Sequence, residues 1–380
     1  MPGPWTLLAL AVALCLLLCA LVVWMVLTDP DPGPRGRGRH RARRPPRSAF
    51  RPEADPEAEP PRRPRAAVVV NPTKVDDLAA TRASLAQASA RLGWDDPVVL
   101  ETTAEDPGTG QARLALEQGV DLVCPLGGDG TTRAVAAALA GTRTPMGLLP
   151  RGTGNLLARN LDIPAGDLEA AFEVACTGRN RAIDVAWLDL DPVAEVVADD
   201  EGQAEEPVRG EPVRRHPFLV MAGMGFDAEI MGSTSEGLKK SVGWPAYFAT
   251  GLGKIFVRRF KIRWSVDGQE QTPVAARTIV FGNCGTLTGG IQLMPSAQID
   301  DGRLDCVVVS PRTIVGWASL AGSVLSRSER DMPHLARTSG ERFEVEVDEP
   351  HPVQVDGDVL GEARHVVATV DRQALIVRSR

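Results

Sequence analysis

Between Ala66 and Leu126, short apolar runs alternate with segments of helical period, and this alternation narrows the fold more than any other feature. Ala66 to Val70 is β-branched and ends on Asn71 and Pro72, as a buried strand with its exit turn should. Helical periodicity follows from Asp76 to Leu92, then a strand-like run from Pro97 to Leu100. A second helix is expected from Gly110 to Gln118 and a third strand from Asp121 to Leu126. Strands returned by helices at this spacing predict a parallel sheet covered on both faces. This α/β domain is expected to occupy residues 66–178.

From Ile183 the texture changes to short strand-like runs separated by Gly and Asp turns. They are Ile183 to Leu188, Phe218 to Ala222, Phe260 to Val266, Thr278 to Gly282 and Leu304 to Val309. A mainly antiparallel β-sandwich over residues 179–380 is the natural reading. Asp189 to Arg215 is acidic and poor in apolar residues, which predicts a disordered insertion. Helical interruptions are expected at Leu238 to Arg258 and Thr313 to Arg327.

The N-terminal residues follow other rules. Trp5 to Leu27 carries no charged residue and matches the roughly 20 residues a bilayer-spanning helix needs. A cleaved signal peptide is the competing reading, but nothing basic follows Met1 and no small-x-small site closes the run. Residues 1–27 are therefore expected to be a single transmembrane anchor. Seven arginines between Arg35 and Arg47 predict a cytoplasmic C-terminal side, hence a single-pass protein of the cell membrane with cytoplasmic catalytic domains. Residues 28–65, rich in Pro, Arg and Glu, read as a disordered tether. Its arginines suit an anionic membrane surface and a topology-setting solvated linker equally well. A formal charge of -7 argues against general nucleic-acid binding. The six cysteines form no Cys-x-x-Cys pair and indicate neither a zinc site nor a disulfide framework.

Two glycine-rich loops carry the candidate chemistry. In Leu126-Gly127-Gly128-Asp129-Gly130-Thr131-Thr132 a strand ends on glycines and an alanine-rich helix, Arg133 to Ala140, is expected directly after. Glycines let a backbone approach phosphate, and a helix N-terminus offers unpaired N–H groups with a partial positive charge. A carboxylate beside phosphate, Asp129, is costly unless a cation or a transferred proton offsets it. The second loop, Arg151-Gly152-Thr153-Gly154-Asn155, leads into Leu156 to Asn160. Both loops are expected on the ligand-binding edge of the sheet. Thr153 and Asn155 can donate to phosphate or ribose, and they can equally cap the helix.

Gly127-Gly128-Asp129-Gly130-Thr131 with Gly152-Thr153-Gly154-Asn155 resembles the catalytic domain of diacylglycerol and sphingosine kinases, especially the bacterial lipid-kinase branch. NAD kinases and phosphofructokinases share the first loop, but the resemblance extends to Asn71-Pro72-Thr73-Lys74, Gly223 to Ala228, Gly289-Gly290, Asp301 to Asp305 and Asp356-Gly357-Asp358. It implies ATP in a cleft lined by Asn71, Thr103, Gly127, Gly128, Asp129, Gly130, Thr131, Thr132 and Arg133, with Gly152, Thr153 and Asn155 on the second loop. It also implies that Asp129 acts through Mg2+.

Asp358 stands where bacterial relatives carry the glutamate of an Asp-Gly-Glu motif, the proposed base, and it is one methylene shorter. It can work through a water, or Asp129 can take more of that role. Read bottom-up, Asp356-Gly357 is also a favoured hairpin turn. The resemblance further implies a structural magnesium held by Asp301 with backbone carbonyls near Gln298 and Arg303, and an acceptor headgroup near Asp227. Leu156 replaces an aspartate common in diacylglycerol-specific members, which leaves the acceptor open.

The expected activity is ATP-dependent phosphorylation of a membrane-lipid hydroxyl, foremost diacylglycerol to phosphatidic acid. A sphingoid-base or other lipid kinase, an NAD-kinase-like enzyme and a non-catalytic nucleotide- or lipid-binding regulator are the alternatives.

Overall fold

A computed structural model describes residues 62–191, 214–225, 259–286, 294–311 and 335–380. The expected anchor, residues 192–213 of the acidic insertion expected over 189–215, Asp227 and both expected helical interruptions lie outside the described residues; the ends of that expected insertion are instead paired strand, Asp189 opposite Arg215 and Leu190 opposite Arg214. Of the expected tether, Arg62 to Arg65 belongs to the folded body: Arg62 pairs with Asp121 at 2.8 Å, and the same carboxylate accepts from the N–H of Arg65.

The expected single-pass placement at the cell membrane, with a transmembrane helix, is corrected. No described helix is long and apolar enough to cross a membrane. The longest, Leu78–Leu92, has 15 residues, about 22 Å of rise against roughly 30 Å of hydrocarbon. It also carries Thr81, Arg82 and Arg91.

The first sheet is parallel, in the order β2-β1-β3-β4, from β1 (Ala66–Val70), β2 (Val98–Glu101), β3 (Leu122–Gly127) and β4 (Leu149–Pro150). Every residue of β1 and β3 is buried, which explains why these strands read as continuous apolar runs. Helix α1 (Leu78–Leu92) starts where Asp77 accepts from the N–H of Ala80 and stops at Gly93, whose φ of 76° is the left-handed closure glycine permits. Helix α2 is Thr109–Glu117 and α3 is Asp129–Leu139. Short α4 (Leu156–Asn160) and α5 (Leu168–Thr177) complete the layer.

The second body is antiparallel and centres on β14 (Arg342–Val355) and β15 (Asp358–Ser379). The early part of β14 pairs with β8 (Phe260–Val266), and its last three residues pair with β7 (Met221–Gly225). A register shift at Glu346/His351 separates the two partnerships, and a second, at Val353/Gln354, falls within the β7 pairing. One bent strand thus serves two sheet regions, as strands do at sandwich corners. Phe281 and Phe343 meet inside, with ring centroids 5.6 Å apart. Strand β5 (Arg179–Leu190) lies on β15, with β6 (Arg214–Phe218) beyond it. On the other side, β11 (Thr278–Gly282), β12 (Leu304–Val309) and β13 (Leu335–Gly340) extend the sheet from β7.

The run expected as one strand from Phe218 to Ala222 is two strands, broken at Leu219 and Val220. The N–H groups of Leu219, Val220 and Met221 are taken by the carboxylate of Asp356.

The two bodies are joined by main chain. Gly141 donates to the carbonyl of Ala374, Met146 to that of Ile376, and Arg378 to that of Met146. The end of β15 therefore runs parallel beside Met146, which itself bridges Val123 of β3.

Candidate functional site

Strand order 2-1-3-4 reverses between β1 and β3, so the crevice at their carboxyl ends is where an open α/β sheet takes its ligand. Asn71 follows β1 directly, Thr103 lies two residues beyond β2, Gly127 ends β3, and the second loop leaves β4. The side chain of Asn71 accepts from the N–H and hydroxyl of Thr73, fixing the turn Pro72–Lys74. Thr103 is exposed and accepts from the N–H of Asp106.

The first loop is shorter than expected because α3 begins at Asp129 rather than Arg133. Gly128 is its extended N-terminal neighbour, and the first helical bond runs from Thr132 N–H to the Gly128 carbonyl at 3.0 Å. Asp129, Gly130 and Thr131 therefore form the helix's opening turn, where N–H groups lack intrahelical acceptors. A carboxylate at position 129 favours that start by complementing the helix dipole. Thr131 is buried, its side chain tucked under Gly127, and Thr132 is half-buried.

Asp129 ties the two loops together. One carboxylate oxygen accepts from Asn155 N–H at 2.8 Å and the other from Leu156 N–H at 2.6 Å. Burial pushes this carboxyl up to about 6; the Leu156 N–H opposes the rise, Asp356 adds to it, the Asn155 N–H opposes it, and Asp358 adds to it. The side chain of Asn155 does not cap α4. Instead it accepts from Gly152 N–H and donates to Gly152 O, closing its own loop around a left-handed residue with φ of 48°. Leu156 is 5% exposed and part of the core, so that departure is a packing position that offers no polar group to an acceptor. Thr153 is half-exposed or more open on the same loop, beside Gly152 and Gly154. Arg151 of this loop also lines an open groove of about 630 Å³ with Thr81, Ser84, Asp167 and Glu169 among others.

Close approach explains the glycine at 152. A Cβ there would lie 2.6 Å from Cα of Gly128. Gly152→Ala is therefore expected to force the loops apart, costing about 1–3 kcal/mol, read from the urea midpoint. An unchanged midpoint would show that the contact is not tight.

The second body contributes Asp358 and Asp356. The Asp356-Gly357 turn joins β14 to β15 with Val355 opposite Asp358, and Asp356 takes a φ of 46°. The hairpin reading and the site reading of this motif coexist. Arg133 on α3 donates to Asp358 at 2.7 Å and to the carbonyl of Val355 at 3.2 Å, and lies 4.0 Å from Asp356. A Cβ on Gly130 would sit 3.4 Å from the same Asp358 oxygen. The structure thus brings Asp129, Gly130, Arg133 and Asp358 together. Sequence reasoning named Asp356 only as part of the Asp356-Gly357-Asp358 motif and gave it no role of its own; it is 6% exposed.

Asp301, Gln298 and Arg303 lie apart, on the loop before β12. Asp301 accepts from Arg303 N–H at 2.9 Å, Gln298 is exposed, and the Arg303 side chain reaches Ser339. Among the described residues no three His, Cys, Asp or Glu side chains gather as a metal centre. Nearby, buried Asp184 accepts from Gly302 and Gln373 N–H groups and fastens this loop to β15.

Residues 65–188 match the family model of the diacylglycerol kinase catalytic domain, and residues 220–378 match that of the YegS C-terminal NAD kinase beta sandwich-like domain. A Pseudomonas aeruginosa protein named "Probable lipid kinase YegS-like" is 31% identical over 305 residues, covering 79% of this chain and 87% of that one. A Synechocystis protein is 28% identical over 250 residues, 64% of this chain, and the chain spans 52% of that relative's length. A crystal structure of a Bacillus anthracis diacylglycerol kinase superposes with a TM-score of 0.59 at 20% identity, covering 83% of this chain and 97% of that one. That likeness is one of fold.

Proposed function

Because this chain belongs to the lipid kinase family built on the diacylglycerol kinase catalytic domain, we propose that it transfers the γ-phosphoryl group of ATP to the hydroxyl of diacylglycerol, forming phosphatidic acid. The observation that carries this reading is the meeting of Asp129, Arg133 and Asp358 at the opening turn of α3. Nucleotide phosphates fit there, against free N–H groups and the positive end of an 11-residue helix.

Asp356 and Asp358 share one guanidinium, that of Arg133, and both carboxylates lie near enough to Asp129 for their charges to act on it. Such an excess of hard oxygen donors beside phosphate suits Mg2+, which binds through one or two carboxylates plus substrate phosphates. Asp129 is the residue that would hold it, and the ion would neutralise charge on the phosphate oxygens. Asp358, 57% exposed, is open to an incoming alcohol. The alcohol oxygen forms the new bond to γ-phosphorus, the bond to the ADP oxygen breaks, and the alcohol's proton passes to Asp358 directly or through a water. Most of the acceleration then comes from alignment and charge stabilisation.

The test is transfer of label from ATP in the presence of diacylglycerol, sphingosine, NAD and glycerol. Label in phosphatidic acid is the expected result. Label only in sphingosine phosphate would move the acceptor within lipids, label only in a soluble product would overturn the lipid reading, and none would leave a binding protein. Asp358→Asn is expected to lower kcat by about 10²–10⁴-fold, the usual worth of a general base. A fall under about threefold, measured by the same assay, would remove Asp358 from that role.

A further inference from the structure

Arg133 is the only side chain among the described residues that connects the opening turn of α3 to the Asp356-Gly357-Asp358 hairpin by ion pairing. It is 14% exposed, whereas its partner Asp358 is 57% exposed. One guanidinium nitrogen is engaged by the Val355 carbonyl and lies near Asp356, while the other reaches Asp358. A planar fork with both arms occupied holds its partners in one orientation. Arg133 also lies four residues after Asp129 on the same helix, so both project from one face. Asp358, the first residue of β15 in the other body, has a short side chain that is 57% exposed. Among the described residues, Arg133 is the one side chain bonded to its carboxylate, and the oxygen it holds is the one beside Gly130.

From this we infer that Arg133 is a positioning residue for Asp358: it clamps the hairpin to the phosphate-binding turn and lets an aspartate reach where a longer carboxylate would reach unaided. This role rests on the kinase reading above and differs from a direct contact between Arg133 and nucleotide. A direct phosphate ligand would act on ATP affinity whatever stands at position 358. A positioning residue acts on turnover, and only while Asp358 is present.

The experiment measures kcat and the KM for ATP in the full chain for the wild type, Arg133→Ala, Asp358→Ala, the double variant, and Asp358→Glu in the Arg133→Ala background. Arg133→Ala is expected to lower kcat by about 10²-fold, the scale of a misplacement of about 1 Å, with KM for ATP within about twofold. The double variant should turn over no more slowly than Asp358→Ala, because residues acting as one unit do not add. Asp358→Glu should restore at least about tenfold to Arg133→Ala, a rescue that a purely structural role would not give.

Multiplying losses, or a rise in KM for ATP with kcat intact, overturns the positioning role while the kinase reading stands. A wild type that labels no lipid overturns both. Arg133→Lys keeps the charge and loses the fork, and it carries the same comparisons if the alanine variant fails to fold by circular dichroism.

Discussion

Asp129→Ala is expected to abolish phosphoryl transfer, lowering kcat/KM by at least about 10³-fold, the scale of losing a group that stabilises transferring charge. Two losses combine: the carboxylate placed to hold a cation, and the two acceptors that fix Asn155 and Leu156 N–H and so align the second loop with the first. Residual activity within tenfold of wild type, with fold intact, would sink the assignment. A pH experiment separates the carboxylate's charge from its geometry. Its folded value of about 6 exceeds the ordinary 3.8, chiefly through burial. A raised carboxyl binds its proton more tightly when folded, so ionising it costs stability. The cost is complete above about pH 6 and is relieved as pH falls from 6 towards 4. Between pH 7 and pH 5 wild type should gain on the order of 1 kcal/mol from this residue, a gain absent from Asp129→Ala in paired urea titrations. Activity should run the other way, with kcat/KM falling below about pH 6 as the needed carboxylate protonates.

Asp356→Ala is the second large effect, and it falls on stability. The carboxylate receives three backbone N–H groups, from Leu219, Val220 and Met221, and lies beside Arg133. Its removal leaves buried donors unpaired and a nearly buried guanidinium without one of its counter-charges. A loss of about 3–5 kcal/mol is expected, a large part of the 5–15 kcal/mol typical of a folded protein. Chemical denaturation measures it, and a loss below about 1 kcal/mol would mean that water replaces the carboxylate at no cost.

The α/β half was legible because β1 and β3 are buried throughout and so read as unbroken apolar runs. Val98–Glu101, Thr109–Glu117 and Leu156–Asn160 lie within a residue of where periodicity put them. The start of α3 was misjudged by four residues because Gly127-Gly128-Asp129-Gly130 looks like loop by composition. Dipole complementarity at Asp129 and extended Gly128 let the helix begin inside it. The long strands β14 and β15 were not anticipated, since half-exposed strands bent by register shifts lack clean alternation. The break between β6 and β7 depends on Asp356, 135 residues away. The pairing of Arg133 with Asp358 spans 225 residues. Local periodicity holds no trace of either. The residues of both glycine loops could be named from sequence, but not that Asn155 would spend its side chain on its own loop.

The stitching of β15 to Met146 sets an order on synthesis. Gly178 waits for the guanidinium of Arg378, 200 residues later, and the sheet edge at Met146 waits for Ile376 and Arg378. On the ribosome, therefore, the α/β half can collapse early yet must keep an unpaired edge until residues 374–378 emerge, and long-range pairings of this kind close slowly. A truncation that removes residues 374–378 would be felt at Gly141, Met146 and Gly178, in the part of the chain made long before them.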